Sequence, residues 1–446
     1  MKKRKVTVLI ALLCMLALII SACGNGGGAV GGGGDAVADD EQATEAETPG
    51  TEEEVNIILW AFAQTHAYFF EWAFEEFTAK HPGVTFTMEV MDALPDRLSV
   101  VIMAGGEGSP DLVDVEQGMF PRFMQPDMLH FVPLNEFLER DNLIDDLVEA
   151  RLSLYEVDGV YFGIEHALCP VVMLYRPDLF ETYGIALPDT WDEYLAAAAQ
   201  FREHGIYITT GGDMHNSVPS LMFVMQRAAG MDFVGPNATI NVVPEVVGLI
   251  EDIKAMQQEG TMFAFTEGAD RWNMIREDRV ATEFVADWGL GWLRDNVPEQ
   301  EGLWRARPLP EFSPGASRVS VWGGTGLTMM EFSPIDRELL WEFIRFAMID
   351  TESNRVSFDM INLYPPVYSA MPYVNFPVDY YGGQNIGELF QELAPEIPRQ
   401  NQAFWRPVWD ETINFHLFDL MEGNITVQEM IDFAVEETER FIAESN

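Results

Sequence analysis

The sequence predicts an α/β protein of two domains, with parallel sheet flanked by helices. Three observations predict it. Val55 to Glu116 reads strand–helix–strand–helix–strand, the order of a parallel sheet with helices on its faces. The same alternation resumes after Asp158. The chain has 446 residues, 48% of them hydrophobic, long for one domain and ample for two cores.

The first 54 residues stand apart from that pattern. Lys2 to Lys5 are charged and Val6 to Ile20 apolar, as in an export signal. Ile20-Ser21-Ala22-Cys23 resembles a lipoprotein cleavage box, so residues 1–23 are expected to be a signal peptide that ends at a lipidated Cys23. Residues 24–54 are Gly-rich, then acidic, with no aromatic residue, the composition of a disordered tether. No later stretch reaches the roughly 18 apolar residues of a spanning helix. The expected location is the extracytoplasmic face of the cell membrane, held by a lipid anchor.

Within the folded region, Val55 to Trp60 is an apolar strand, and Phe70, Ala73, Phe74 and Phe77 share one helix face. His81-Pro82-Gly83 stops that helix. Val84, Phe86, Met88 and Val90 alternate with polar residues, a strand with one wet face. Leu94 to Ala104 is a helix ended by Gly105-Gly106, and Asp111 to Glu116 a third strand. Ligands of parallel sheets sit at the carboxyl ends of the strands, which brings Trp60, His66 and Glu116 to one rim. Asp158-Gly159 is a hairpin turn. Cys169 to Tyr175 is a buried strand, broken at Arg176-Pro177 because proline lacks a donor. Leu179 to Tyr183 is a short helix stopped by Gly184. Thr190 and Glu193 form a capping box for a helix that runs on through Phe201. Tyr207 to Asp213 is a strand entering a glycine turn, and Leu221 to Ala229 and Glu245 to Gln258 are helices. Ser333 and Pro334 are expected as N-cap and first residue of the helix Glu338 to Ile349. Thr426 and Glu429 make a second capping box.

Composition excludes several functions. The formal charge is −46, and removing Lys2, Lys3, Arg4 and Lys5 with the leader makes it −50. That argues against nucleic acid and anionic membrane surfaces as partners. Of three cysteines, Cys14 and Cys23 lie in the leader, leaving Cys169 as the one thiol of the folded part, without an internal disulfide. His166 and Cys169 are too few for a metal site, and a buried strand thiol is the expectation. No H-E-x-x-H, G-x-S-x-G or P-loop pattern occurs, so neither a catalytic residue nor a cofactor is expected.

From Val55 to the C-terminus the chain resembles the sugar-type extracellular solute-binding proteins of bacterial ABC importers. The opening matches through Trp60, Phe77, His81, Pro82, Gly83, Val84, Ser109, Pro110, Asp111 and Leu112. The middle matches through Tyr161, Gly163, Tyr175, Asp178, Leu179, Phe180, Pro188, Thr190, Trp191, Asp192 and Glu193. Glu165 stands where that family usually has proline, and Arg176-Pro177 replaces its Asn-Lys. The segment Arg279 to Trp288 resembles the family's G-K-[VA]-A-M-x-x-x-G-x-W, whose tryptophan lines the sugar site. Val321 to Met330 resembles its GG strand, and Asn362 to Pro366 its proline turn.

The resemblance implies a periplasmic-binding-protein-like fold: two lobes, each with a central mixed or parallel sheet flanked by helices, and a ligand cleft at the hinge. It implies chain crossings near Glu165, Arg305 and Ile349, hence one lobe of residues 55–165 plus 306–349 and another of 166–305 plus 350–446. The implied function is capture of a mono- or oligosaccharide by a monomer that then docks on a membrane permease. Indole faces and carboxylates suit a sugar's C–H faces and hydroxyls. The expected ligand residues are Trp60, His66, Glu116, His166, Asp213, Asp287, Trp288, Trp322, Gly323, Tyr364 and Trp405, with Glu165 a further cleft carboxylate. Trp72, Trp191 and Trp341 sit in helical patterns and are assigned to the core. Two rival readings keep the extracellular setting: a cationic solute such as a polyamine, favoured by the charge and the tryptophans, and a glycan hydrolase using two of the seventy-two acids. A surface adhesin, which would need no closure, is the remaining alternative.

Overall fold

The computed structural model describes residues 54–91, 93–212, 224–265 and 268–445. The leader, residues 24–53 of the tether and Asp213 lie outside the described residues. Two separate sheets organise the rest. The first has strand order β2-β1-β3-β12-β6, from β1 (Val55–Ala61), β2 (Val84–Val90), β3 (Leu112–Glu116), β6 (Gly163–Glu165) and β12 (Thr325–Met329). β1 runs parallel to β2 and to β3, in the register Val55↔Val84 and Leu59↔Leu112. β12 then inserts antiparallel between β3 and β6. The sheet is therefore mixed.

The inner strand β3 and its partner β12 are buried because both faces of the sheet are covered, while the edge strand β2 leaves Thr85 and Thr87 exposed. Helix α1 (Gln64–Lys80) packs Phe70, Ala73 and Phe77 on one face, together with Trp341, Phe343 and Ile344 of the helix Arg337–Met348. Helix α2 (Leu94–Met103), Phe120, Phe123 and Tyr155 cover the other. The hairpin of β4 (Glu156–Val157) and β5 (Val160–Tyr161) turns at Asp158 and Gly159, φ +51° and +83°. Positive φ at both central residues is what such a turn requires.

The second sheet has order β10-β7-β11, from β7 (Val171–Tyr175), β10 (Thr282–Ala286) and β11 (Arg305–Arg307), all antiparallel. The parallel pair β8 (Thr209–Gly212) and β9 (Met262–Phe265) lies beside β10, where the Thr282 N–H donates to the Ile208 carbonyl. Trp191, Tyr194 and Phe201 pack beneath it with Trp409, Ile413 and Leu417. The capping boxes form at Thr190/Glu193 and at Thr426/Glu429, and Gly184 ends its helix at φ +66°.

Three expectations need correction. The crossing expected near Arg305 does not fall there: the strand returning to the first sheet is β12, and Arg305 and Arg307 pair with Tyr175 and Met173 of β7. The second crossing thus falls at 322–324. The third falls after Ile349, because the helix Thr351–Ile361 packs on α1, and Val367 and Ala370 share the first sheet's core. Ser333 does not cap a helix. Its hydroxyl donates to Asp111 (2.5 Å), and the helix starts at Arg337 with Asp336 as N-cap, accepting from the Glu338 N–H (2.8 Å).

Candidate ligand cavity at the hinge

β10 ends at Ala286, and the helix Asp287–Asn296 begins at once. Positions 288 and 292 are one turn apart, so Trp288 and Trp292 share a helix face. Trp322, on the crossing before β12, closes the group. Trp288 lies 4.9 Å from both other rings, at 63° to Trp292 and 68° to Trp322. The Trp288 Nε1–H donates to the Trp322 carbonyl (3.0 Å), which fixes the ring edge and ties the helix to the crossing. Trp292 keeps 49% of its surface exposed, so its indole face is open to a ligand.

These rings wall a cavity with about 580 Å³ of empty space. Its floor is β8 and β10. Glu283 of β10 is nearly sealed, and its carboxylate accepts from Arg271 Nη2 (2.8 Å) and from the Thr210 hydroxyl (2.7 Å). Two donors leave lone pairs on an ionised carboxylate unused. The Arg271 guanidinium also lies over the Trp272 ring (4.7 Å). Flat apolar faces beside one oriented acid–base pair suit a ring with C–H faces and hydroxyl edges. A polar cavity, about 890 Å³ of empty space, lies between Glu156–Asp158 and Asn237, Asn401 and Gln402, bridged by Arg399 to Glu149 and Glu156. It has no aromatic wall, which leaves the tryptophan cavity as the better match.

Behind the rim, the crossings are braced. Arg151 and Glu165 are both buried and joined at 2.9 Å. Arg151 also donates to the carbonyls of Ala167 (3.2 Å) and Gly323 (2.9 Å), one on each crossing segment. Tyr155 donates to Glu165 (3.2 Å). Gly324, at φ +134°, runs so close to this pair that a Cβ would sit 1.9 Å from the guanidinium. The glycine at 324 is thus explained by the glutamate at 165. Burial outweighs the arginine and raises the Glu165 carboxyl above its ordinary pKa.

The other expected residues divide into groups. Asp287 is buried and caps its own helix: its carboxylate accepts from the N–H of Trp288 (2.8 Å), Tyr364 (3.0 Å) and Cys169 (3.2 Å). Burial still pushes it up to about 6. Glu116 ends β3 with one hydrogen bond, from the Gly118 N–H (2.8 Å). Burial, opposed by that N–H and reinforced by the charge of Glu165, raises it to about 7. Gly323 adjoins the Trp288 ring at 3.5 Å from its built Cβ position. His66 and His166 meet on Asp114, Nδ1 at 2.8 Å and Nε2 at 2.7 Å, with their rings stacked at 4.6 Å and 22°. Near-parallel rings direct their nitrogens side by side at two oxygens rather than at one point, which fits N–H donation to a carboxylate. Burial alone would raise Asp114, but His166 and His66 outweigh it and hold the group well below the usual carboxylate range.

Trp60 and Trp405 are each 1% exposed. Trp60 lies under the Arg97 guanidinium (4.2 Å), and the Trp405 Nε1–H is bound by the Ala238 carbonyl (2.9 Å). Cys169 is a buried thiol, raised well above its ordinary pKa by burial. The sequence reading missed Trp292, Arg271, Glu283 and Thr210. Only Trp292 carried a signal, its one-turn spacing from Trp288.

The fold and this cavity now meet the comparison with known proteins. The model of the bacterial extracellular solute-binding proteins matches residues 72–377. The chain belongs to that family. Among relatives, the arabinooligosaccharide-binding protein of Halalkalibacterium halodurans is 28% identical over 403 residues, covering 86% of this chain and 88% of that protein. The arabinooligosaccharide-binding protein of Bacillus subtilis is 26% identical, covering 78% and 83%. Of solved structures, an extracellular solute-binding protein of family 1 superimposes with TM-score 0.72 at 19% identity, covering 88% of this chain and all (100%) of that one. The galacto-N-biose/lacto-N-biose I-binding protein of Bifidobacterium longum, in complex with lacto-N-biose, gives 0.70 at 16%, covering 89% and 99%. At those identities the likeness is one of fold. The architecture is that of the periplasmic binding proteins.

Proposed function

We propose that this solute-binding protein captures an oligosaccharide in the tryptophan cavity and hands it to the permease of an ABC importer. The observation that carries the reading is the half-exposed Trp292 beside Trp288, over a carboxylate already oriented by Arg271 and Thr210. A sugar ring stacks on such a face while its hydroxyls bond the fixed polar groups. The names of the two arabinooligosaccharide-binding relatives support a pentose oligosaccharide as the first ligand to try. In this reading the ligand bridges both lobes, and binding shifts the population toward the closed form. The leader supports attachment through a lipid on Cys23, with residues 24–54 as tether and the chain acting as a monomer.

The rivals find less support. Glu283 is the one acid among the described lining residues, and Arg271 already neutralises it, so the described residues offer an amine no anionic cage. Hydrolysis needs a second carboxylate across the bond. Isothermal titration with arabino-oligosaccharides, lactose, maltose and spermidine tests the reading. The expected result is saturable binding of an oligosaccharide, weakened about tenfold in Trp292→Ala with the melting temperature unchanged. Binding of spermidine alone, or sugar binding indifferent to Trp292, overturns it.

A further inference from the structure

The helix Asp287–Asn296 has a cavity on each side. Trp288, Gly289 and Trp292 face the tryptophan cavity, while Leu290, Gly291 and Arg294 face a second one with about 750 Å³ of empty space. The second cavity is walled by Leu290, Phe358, Phe376, Val378, Ile386 and Phe390. Tyr364, expected from the sequence to touch the ligand, lines this cavity and not the first.

The walls are largely apolar, and Phe376 keeps 44% of its surface exposed, so the space opens on solvent. Such a space is typical of a binding site, mostly apolar with few polar anchors. The polar groups around it identify the ligand class. The Tyr364 hydroxyl is committed to the Gly387 carbonyl (2.7 Å), and that of Tyr381 to the Leu290 carbonyl (2.8 Å). Arg294 pairs with Asp295 (3.0 Å) and Asp359 with Arg355 (2.5 Å), so the charges at the mouth are matched within the chain. The Asp287 carboxylate, also in the wall, is taken by the N–H groups of Trp288, Tyr364 and Cys169, and one lining side chain makes no hydrogen bond to any described residue: the Asn362 amide, held by a left-handed backbone at φ +58°. Gly291 leaves it room, since a Cβ there would come 2.8 Å from its Nδ2.

We infer that this cavity is a second ligand site, for an uncharged aromatic molecule carrying one hydroxyl, and that its occupancy is coupled to the tryptophan cavity. The aromatic body packs against Phe358, Phe376 and Phe390, and the hydroxyl meets Asn362. The coupling has a physical route. The Asp287 carboxylate holds the N–H groups of Trp288 and Tyr364 together, so a shift of the Tyr364 turn is transmitted to the base of the tryptophan helix. Two ligands bearing on one helix change each other's affinity by the same factor. The coupling clause rests on the proposed sugar reading, and the site itself does not.

The test is titration of the full chain with p-cresol, followed by calorimetry and by ligand-observed NMR. Saturable binding with a Kd of about 1 mM or below, the range of a small fragment, is expected. Leu290→Trp, which fills the cavity, is expected to abolish it. Phe376→Ala, at an exposed wall position, is expected to weaken it several-fold with an unchanged melting temperature. A titration of oligosaccharide at saturating p-cresol should then show a shifted Kd, matched by the reciprocal shift for p-cresol. Absence of p-cresol binding overturns the site, as does binding indifferent to both variants, or binding competed by sugar and lost in Trp292→Ala. Independent binding of the two ligands overturns the coupling alone. If no sugar binds but p-cresol still responds to Leu290 and Phe376, the sugar reading fails and the second site stands.

Discussion

Two buried glutamates at the hinge do different work, and the difference lies in their arginines. Glu165 and Arg151 are sealed together, with side chains 2% and 1% exposed. Glu283 is as buried, at 3%, but its partner Arg271 keeps 17%. The first pair ties two crossing segments through backbone carbonyls. The second opens on a cavity walled by indoles. A sealed pair trades desolvation against a fixed set of partners, and its burial closes it to a ligand. A pair with one open side keeps lone pairs that a hydroxyl can use. Burial of a carboxylate therefore does not mark a binding residue. What its partner leaves open does.

The largest expected effect breaks the sealed pair. Arg151→Met leaves Glu165 buried without its cation and strips hydrogen bonds from Ala167 and Gly323. Loss of one partner of such a pair costs about 3–5 kcal/mol. Chemical denaturation should show that loss, and Arg151→Met with Glu165→Leu should recover much of it. A small effect of the single change would mean that the brace is not structural.

Glu283→Gln is the matching change on the open side. It keeps the shape, removes the charge that Arg271 faces, and weakens hydrogen bonds to a sugar hydroxyl. Charge-assisted bonds are worth about 1.5–3 kcal/mol, so sugar affinity should fall about tenfold or more. Stability should change by less than in Arg151→Met, because Arg271 keeps a route to water. Calorimetry and melting of the same sample separate the two. Equal losses of affinity and stability would erase the distinction between the pairs.

The two pairs also differ in how well the sequence announced them. Short-range chemistry was legible: Thr190 with Glu193, Asp158-Gly159, and Gly184 each act within a few residues. The parallel order of β1, β2 and β3 followed from apolar spacing. The return of β12 to the middle of the first sheet did not, because Arg305–Arg307 carries an equally acceptable short strand signal and its pairing with β7 is decided by tertiary contact. At the candidate site, Trp288 was named through family resemblance, whereas Trp292 was missed although its helical spacing from Trp288 was there to read. Glu165 looked like a cleft carboxylate because sequence shows its position at a strand end but not Arg151 behind it. Arg271 and Glu283 are joined across two elements, and no local pattern encodes that meeting. Trp60 and Trp405 sit where ligand residues sit in the chain, yet each ring is held under neighbouring side chains.

Glu116 extends the comparison to a partly buried glutamate to which no side chain of the described residues donates a hydrogen bond. Its neighbours in charge are Glu165 on β6, Arg227, and Asp410 on the helix Arg406–Met421. Its carboxyl is raised from 4.5 to about 7, by burial first. The folded state thus keeps its proton to higher pH than the unfolded state does. Its contribution to stability is fully present below about 4.5 and is lost as pH rises through about 7. Glu116→Gln carries no such proton. Unfolding free energies of the two proteins, from chemical denaturation, should therefore converge at low pH and separate by about 3 kcal/mol near neutrality, the variant being the more stable. The opposite sign, with the variant weaker at neutral pH, would mean that Glu116 is ionised and held by Arg227. It would then resemble Glu165 rather than a carboxyl left on the open side of the hinge.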